Sequence, residues 1–391
     1  MPEAGVSPAP LRRAWVEVDL GALARNFARL SAQVAPARVL PVVKADAYGH
    51  GVIAVARALE PLGAPGFAVA LVEEGIELRH AGVAAPVLVL SPAPRGAEAV
   101  LIAHGLVPAV SGLDQLDRLE ARAAAAGAVL DVHLKFDTGM TRLGIPDDAA
   151  PAVLERVRRS RSLRLTGLMS HLAEAEVPAS PANAAQMARF RAVIGLLSAS
   201  ERERVAVHLA NSAGGLLSPP TRFDLVRSGL ALYGLGPGRG RLGLEPVLAV
   251  RAELVLTRAV EPGTHAGYGG RWEARRPSRV GVVPLGYADG YPWRAEGRAE
   301  ALVRGRRAPL AGAVSMDLIL LDLTETGGEA GEVVTLLGRD GSEEITAEEV
   351  AERAGTIVYE VLCHLGLRLP HNGIGAAGGA AGAAATGDSG R

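Results

Sequence analysis

The chain has 391 residues, a length that favours two domains over one. Hydrophobic residues make up 49% and charged residues 21%, so a sizeable core can form, and a net charge of −1 gives no reason to expect nucleic acid or a membrane as partner. No apolar run approaches the roughly 20 residues of a membrane helix. The N-terminal segment lacks the apolar core of a secretion signal, and the single Cys363 excludes an internal disulfide. We therefore expect a cytoplasmic protein.

The first part of the chain alternates strand-like and helical segments. A strand at 14–20 precedes a helix that Asp19 is suited to cap, with apolar residues at Leu23, Phe27 and Leu30. Eight apolar strand-like segments follow, at 39–43, 66–70, 86–90, 106–110, 130–136, 164–170, 205–210 and 223–229. Strands joined by helices in this number predict an α/β fold, a (β/α)8 TIM-like barrel. An open doubly wound sheet is the alternative, but the glycine fingerprint that usually follows its first strand is missing.

The pattern of the sequence changes after the predicted barrel, from alternating strands and helices to mostly short strands. Short β runs dominate from Leu244 to about Leu369, which predicts a mostly β C-terminal domain with one short helix capped by Thr346. We assign the barrel to 12–243, the β-rich domain to 244–371, and a disordered low-complexity tail to 372–391.

Polar residues collect where the barrel strands end, which is where such barrels place their chemistry. In chain order these residues are Lys44, Tyr48, Lys135, Arg142, His171, Asn211, Ser212, Arg227 and Gly229. The nine histidines lack metal-ligand spacing, so no metal is expected. Lys44 follows an apolar run: it either reaches water where the strand ends or gives up its proton and becomes a nucleophile able to form a Schiff base. Together with small residues that can cradle a phosphate after the last two strands, such a lysine indicates pyridoxal 5′-phosphate (PLP) as cofactor.

Eight segments resemble motifs of the bacterial alanine racemases, fold-type III PLP enzymes, in family order between about Trp15 and Pro370. They are VVKADAYGHG, LKFDTGMTRLG, HLANSAG, VRSGLALYG, GYGGRW, PLGYADGYP, VSMD and YEVLCHLGLRLP. The resemblance implies that Lys44 holds PLP and acts as one base, and that Tyr268 acts as a second base on the opposite face of the substrate. In the family this tyrosine comes from a partner chain, which implies a homodimer with two shared active sites.

The resemblance also implies roles for other residues. Arg227 faces the pyridine nitrogen and keeps it unprotonated, which favours racemisation over transamination, and His171 supports Tyr268. Arg142 and the backbone of Met316 bind the substrate carboxylate. Lys135 and Asp317 are supporting residues; the lysine equivalent to Lys135 is often carbamylated in relatives, and a solvated lysine is the alternative. The PLP phosphate contacts map to Tyr48, Ser212, Gly229, Leu230 and Tyr359, while Asp289 shapes the entrance.

The implied activity is interconversion of L-alanine and D-alanine for peptidoglycan synthesis. A broad-specificity amino-acid racemase of the same fold and a non-catalytic PLP carrier are the alternatives. Two departures from the family pattern stand out: relatives usually have arginine where this chain has Trp293, and they end in VPR where this chain reads LPHNG. The first affects the charge at the channel mouth, and the second puts the last strand in doubt.

Overall fold

The computed structural model describes residues 11–366 and 368–375. The first part of the chain contains β1 (Ala14–Asp19), α1 (Leu20–Val34), β2 (Arg38–Pro41), α2 (Lys44–Gly49), α3 (Val52–Leu59), β3 (Phe67–Val69), α4 (Val72–His80), β4 (Val87–Val89), α5 (Glu98–Ala103), β5 (Leu106–Val110), α6 (Leu113–Ala125), β6 (Leu130–Asp137), β7 (Ile145–Pro146), α7 (Ala150–Arg159), β8 (Leu163–Met169), α8 (Pro181–Ile194), α9 (Ala199–Arg204), β9 (Ala206–His208), α10 (Ser212–Leu217), β10 (Leu225–Ser228) and α11 (Arg239–Leu242). The second part contains β11 (Leu248–Glu253), β12 (Leu256–Val260), β13 (His265–Ala266), β14 (Trp272–Glu273), β15 (Ser278–Val283), β16 (Glu300–Val303), β17 (Arg306–Pro309), β18 (Ile319–Asp322), β19 (Val333–Asp340), β20 (Glu343–Ile345), α12 (Ala347–Ala354), α13 (Val358–His364) and β21 (His371–Ile374).

All eight predicted barrel strands are present and parallel. The strands β3, β4, β5, β6, β8 and β9 pair in that order, and β10 pairs with β2. Single bridges join Val42 to Ala68 and Asn211 to Arg227, which connects the two sheets at both edges. Every residue of β3 and β4 is buried, as expected for parallel strands covered on both faces. The predicted α/β barrel followed by a mostly β domain is confirmed.

The helix α1 shows how the barrel is fixed to the segment that follows it. The Asp19 carboxylate caps the helix by accepting a hydrogen bond from the Ala22 N–H at 2.8 Å, as predicted. The helix buries one face, and Asn26 lies on that face without solvent exposure. Its side-chain amide donates to the Leu232 and Glu245 carbonyls and accepts from the Glu245 N–H. These three bonds hold the chain where it leaves the barrel.

The β domain is built around a sheet with the order β17-β16-β19-β11-β1-β21, and β20 adds to β19. The strands β12, β15 and β18 form a second, antiparallel sheet, and β13 and β14 form a short hairpin. The helix α12 begins as predicted, with the Thr346 hydroxyl accepting from the Glu349 N–H at 3.0 Å. None of the helices in the described part of the chain combines the length and apolar character needed to cross a membrane.

The first strand corrects the predicted domain boundaries. β1 pairs with β11 and β21, so residues 14–19, which we assigned to the barrel, lie in the sheet of the β domain. The sequence pattern of β1 cannot show whether the strand belongs to the barrel or to the sheet of the β domain, because an alternating strand fits any sheet with one covered face. The LPHNG ending still supplies β21, because the pairing uses backbone groups. Residues 372–374 of the predicted tail therefore form part of a strand, and residues 376–391 lie outside the described residues.

A glycine at the junction of the two domains gives a test of the packing. Gly234 has φ +79°, and a Cβ there would lie 1.9 Å from the Glu245 carbonyl oxygen. Gly263 has nearly the same backbone conformation, φ +83°, but nothing within 4 Å of its Cβ position. We expect Gly234→Ala to lower the free energy of unfolding by about 2 kcal/mol more than Gly263→Ala, because only the former adds overlap to strain. Urea unfolding of both variants measures this, and equal losses would contradict the close packing.

Candidate active site

A cavity of about 490 Å³ opens at the carboxyl ends of the barrel strands. The predicted site residues that line it are Lys44, Tyr48, Lys135, Arg142, His171, Asn211, Ser212, Arg227, Gly229, Leu230 and Tyr359. In the part of the chain that the structure describes, no three histidine, cysteine or carboxylate side chains are placed to hold a metal ion. The barrel thus gathers cations, hydroxyl groups and backbone N–H groups around one space.

Lys44 stands at the start of α2, which is a left-handed turn rather than a right-handed α-helix. The four residues that follow it, Ala45 to Tyr48, all have φ between 51° and 56°, a left-handed backbone conformation that residues with a Cβ rarely adopt. Lys44 itself is half-buried and lines the cavity, so it is neither enclosed in the core nor simply exposed where the strand ends. The sequence contains no signal for this turn, because none of the four residues is glycine.

Three residues form a cradle suited to a phosphate group. The Ser212 hydroxyl accepts a hydrogen bond from the Gly229 N–H at 3.0 Å. A Cβ on Gly229 would lie 2.4 Å from the Tyr48 hydroxyl oxygen, so the close approach of this tyrosine requires glycine. Burial, and next the nearby Tyr359, raises the pKa of Tyr48, which therefore stays a neutral hydrogen-bond donor. Hydroxyl donors and a bare backbone at one end of the cavity fit the phosphate of PLP.

Arg227 is buried in the floor of the cavity and holds two imidazoles. One terminal nitrogen donates to His171 Nδ1 at 2.8 Å, and the other donates to His208 Nδ1 at 2.9 Å. Arginine can only donate, so both Nδ1 atoms are unprotonated, and the tautomer of each ring is assigned from this network. His208 Nε2 then lies 2.9 Å from His133 Nδ1, which extends the chain of hydrogen bonds across the barrel.

Burial and charge keep these imidazoles neutral. Burial, followed by the charge of Arg227, holds the pKa of His171 and of His208 well below the usual range, and burial lowers that of His133 to about 4. Burial and the neighbouring Arg142 also lower the pKa of Arg227, to about 10, which leaves it charged at neutral pH. The neutral His171 therefore keeps one N–H, on Nε2, away from Arg227. His133 and His208 were not predicted as site residues; their positions on barrel strands were the available signal.

Two more cations lie beside this network. Lys135 is buried, and burial together with Arg227 and Arg142 lowers its pKa to about 8. No hydrogen bond from its amine is present within residues 11–366 and 368–375. Arg142 follows a loop whose N–H groups at Gly139, Met140 and Thr141 bind the Asp137 carboxylate at 2.9 to 3.1 Å. This fixed loop places the Arg142 guanidinium at the cavity.

The remaining predicted residues do not reach the cavity of their own chain. Tyr268 and Met316 are 75% and 53% exposed in the β domain. Asp317 is paired with Arg368 at 2.8 Å, and Arg368 also binds the fully buried Asp289. The structure therefore brings together the barrel residues of the predicted site and Tyr359 of α13, and it leaves the second base and the second carboxylate donor at the surface of the same chain.

The fold and the cavity define a barrel enzyme of the PLP-dependent class with an added β domain. Two family models match the chain: the alanine racemase N-terminal domain at residues 18–237 and the alanine racemase C-terminal domain at residues 247–372. The chain belongs to the alanine racemase family of PLP-dependent isomerases.

Individual relatives agree over almost the whole length. The alanine racemase of Syntrophobacter fumaroxidans is 40% identical over 93% of this chain and 99% of its own, and that of Sorangium cellulosum is 42% identical over 92% and 98%. Among solved structures, the alanine racemase of Streptomyces lavendulae superposes with a TM-score of 0.88 at 36% identity, covering 95% of this chain and 99% of its own. That of Bartonella henselae, with covalently bound pyridoxal phosphate, has a TM-score of 0.84 at 29% identity and covers 94% and 100%.

Proposed function

We propose that this protein is an alanine racemase that interconverts L-alanine and D-alanine with PLP by a two-base mechanism. The observation that carries the proposal is the buried Arg227 network beside Lys44 in the cavity. A fixed cation opposite the cofactor ring, in place of a carboxylate, suits a racemase better than most other PLP enzymes.

The side chains of the cavity fit the cofactor at both ends. The Lys44 amine would hold the PLP aldehyde, and the Ser212 and Tyr48 hydroxyls with the Leu230 N–H, next to the bare Gly229 backbone, would hold its phosphate. Arg227 Nε makes no hydrogen bond to any described residue, so this donor is available to the ring nitrogen, which an arginine cannot protonate. When bound, PLP withdraws electrons from the substrate and acidifies its Cα–H.

Racemisation requires a proton to leave one face of Cα and another to arrive on the opposite face. Lys44 serves one face, and Tyr268 of a second chain serves the other. The Nε2–H of His171, which none of the described residues accepts, can donate to the Tyr268 oxygen and stabilise it when it has lost its proton. Because Arg227 occupies Nδ1, the imidazole is held in the tautomer that this role needs.

A homodimer is the arrangement that completes this site. Large apolar side chains of the β domain are exposed in the single chain, and they include Tyr268, Met316, Leu318, Tyr287 and Trp293. A two-fold partner would cover this surface and carry Tyr268 and Met316 to the neighbouring cavity. There the substrate carboxylate would bind the Arg142 guanidinium and the Met316 N–H. Asp317, held by Arg368, would steady the segment that carries Met316.

The product defines the proposed biological role. D-alanine would be supplied for peptidoglycan synthesis, with the enzyme acting in the cytoplasm. Family membership supports this role.

The proposed reaction is tested in D2O. The protein with PLP is given L-alanine and, separately, D-alanine, and optical rotation is followed together with deuterium at Cα. We expect inversion in both directions with deuterium in the product enantiomer, since two opposed bases each exchange with solvent. Deuterium uptake without inversion would mean that only one face is served. Inert alanine with other amino acids inverted would indicate a broad-specificity racemase, and no reaction at all would indicate a PLP carrier.

The shared site is tested by mixing two variants. Lys44→Ala and Tyr268→Phe are each expected to lose nearly all racemase activity. After co-refolding in equal amounts, we expect roughly a quarter of wild-type activity, because roughly half of the dimers are mixed and each mixed dimer has one native site. If both catalytic groups came from one chain, each mixed dimer would have no native site, and the mixture would stay as inactive as the separate variants.

Carbamylation of Lys135 can be tested without measuring racemase activity. We expect its amine to react with CO2: the nitrogen lone pair forms an N–C bond, a C=O electron pair moves to oxygen, and the nitrogen proton goes to solvent. The product carboxylate would offset the charge of Arg142. Carbamylation should increase as the pH rises through about 8, where the amine loses its proton. Labelled bicarbonate and carbon NMR detect the carbamate, Lys135→Arg is the control, and identical spectra for both proteins would contradict the assignment.

A further inference from the structure

We propose that Glu74 and His50 are positioning residues for Lys44, because they clamp the left-handed turn that presents its amine to the cavity. The inference deepens the proposed function and rests on it for the role of Lys44. Neither side chain lines the cavity, so neither is proposed as a catalytic residue.

The turn requires support from outside itself. Four consecutive residues with a Cβ, Ala45 to Tyr48, have φ between 51° and 56°. Each is less stable there than in the right-handed region, so such a run persists only where surrounding contacts impose it. An unsupported segment would relax toward a right-handed turn and swing the Lys44 side chain away from the cavity.

Glu74 imposes the conformation at the beginning of the turn. One carboxylate oxygen accepts from the Ala45 N–H at 2.6 Å, and this N–H belongs to the peptide bond that follows Lys44. The other oxygen accepts from the Ala70 and Leu71 N–H groups at 2.7 and 2.9 Å, at the end of β3. The carboxylate therefore ties the peptide after Lys44 to a fixed barrel strand. Both oxygens must accept, which an amide cannot do.

His50 imposes the conformation at the end of the turn. Its Nδ1 lies 2.9 Å from the carbonyl oxygens of both Ala47 and Tyr48, so this nitrogen carries the proton and donates. The ring is fully enclosed and stacks on Tyr233, with the centroids 4.3 Å apart. The Tyr233 hydroxyl in turn donates to the Val42 carbonyl at 3.1 Å, just before Lys44. The backbone is thereby held on both sides of the lysine.

The test separates Lys44 placement from the phosphate cradle. Affinity is measured for PLP and for 4′-deoxypyridoxine 5′-phosphate, which lacks the aldehyde that joins the lysine. We expect Glu74→Gln to reduce the ratio of the two affinities about tenfold, since the charge-assisted hydrogen bond from the Ala45 N–H is lost. The control Glu73→Gln removes the same charge from the same helix turn, and the ratio should stay within about twofold of wild type. An unchanged ratio in Glu74→Gln would overturn the proposal.

A second pair of variants addresses His50. Asn places a side-chain N–H close to where Nδ1 stands, whereas Leu fills the space without a donor. We expect His50→Leu to lower the affinity ratio and His50→Asn to restore much of it, which a purely space-filling role would not produce. If Leu kept the ratio as well as Asn did, His50 would have no part in the clamp.

Hydrogen exchange of the chain without PLP distinguishes failure of this inference from failure of the proposed function. Peptides covering 44–52 should exchange faster in Glu74→Gln than in wild type, and the same peptides should be unchanged in Glu73→Gln. If the wild-type protein binds neither PLP nor the analogue, the proposed function fails. In that case hydrogen exchange alone tests whether Glu74 clamps the turn, and equal exchange in all three proteins would overturn this inference.

Discussion

The site depends on one buried cation. Arg227 lies in the barrel floor with its terminal N–H groups donating to the carbonyls of Ser170, Leu209 and His208 and to two imidazoles. Without these acceptors, the burial of its charge would be prohibitively costly. With them, the cation fixes the imidazole tautomers, and after burial it is the main cause of the lowered pKa of Lys135.

The two domains supply different residues of the proposed site, and the difference follows from their secondary structure. Parallel strands end at one edge and gather Lys44, Arg142 and Arg227 from distant parts of the chain. The β domain instead displays its chemistry on short turns, where Tyr268 and Met316 point into solvent. A surface tyrosine of this kind gains a function only when another chain supplies the cavity. The proposed two-base reaction therefore requires the proposed dimer.

Much of the fold could be predicted because its signals are local. The cap at Asp19, the eight barrel strands and the change from helical to β-strand patterns each depend on residues close in sequence. The misplaced strand β1 depends on which sheet offers a free edge, and the partner β11 is more than 200 residues away. His208 looked like an ordinary strand residue, because its acceptor role exists only once Arg227 lies beside it.

The sequence by itself determined the barrel, the β domain and the family, because periodic apolar residues and ordered motifs are properties of a linear pattern. Only the tertiary structure decided how Lys44 is presented. The left-handed turn after it contains ordinary residues that would not adopt this conformation alone, and it is imposed by Glu74 and His50 through hydrogen bonds to its backbone. Intrinsic preference is a local property of each residue, but the contacts that override it exist only in the folded chain.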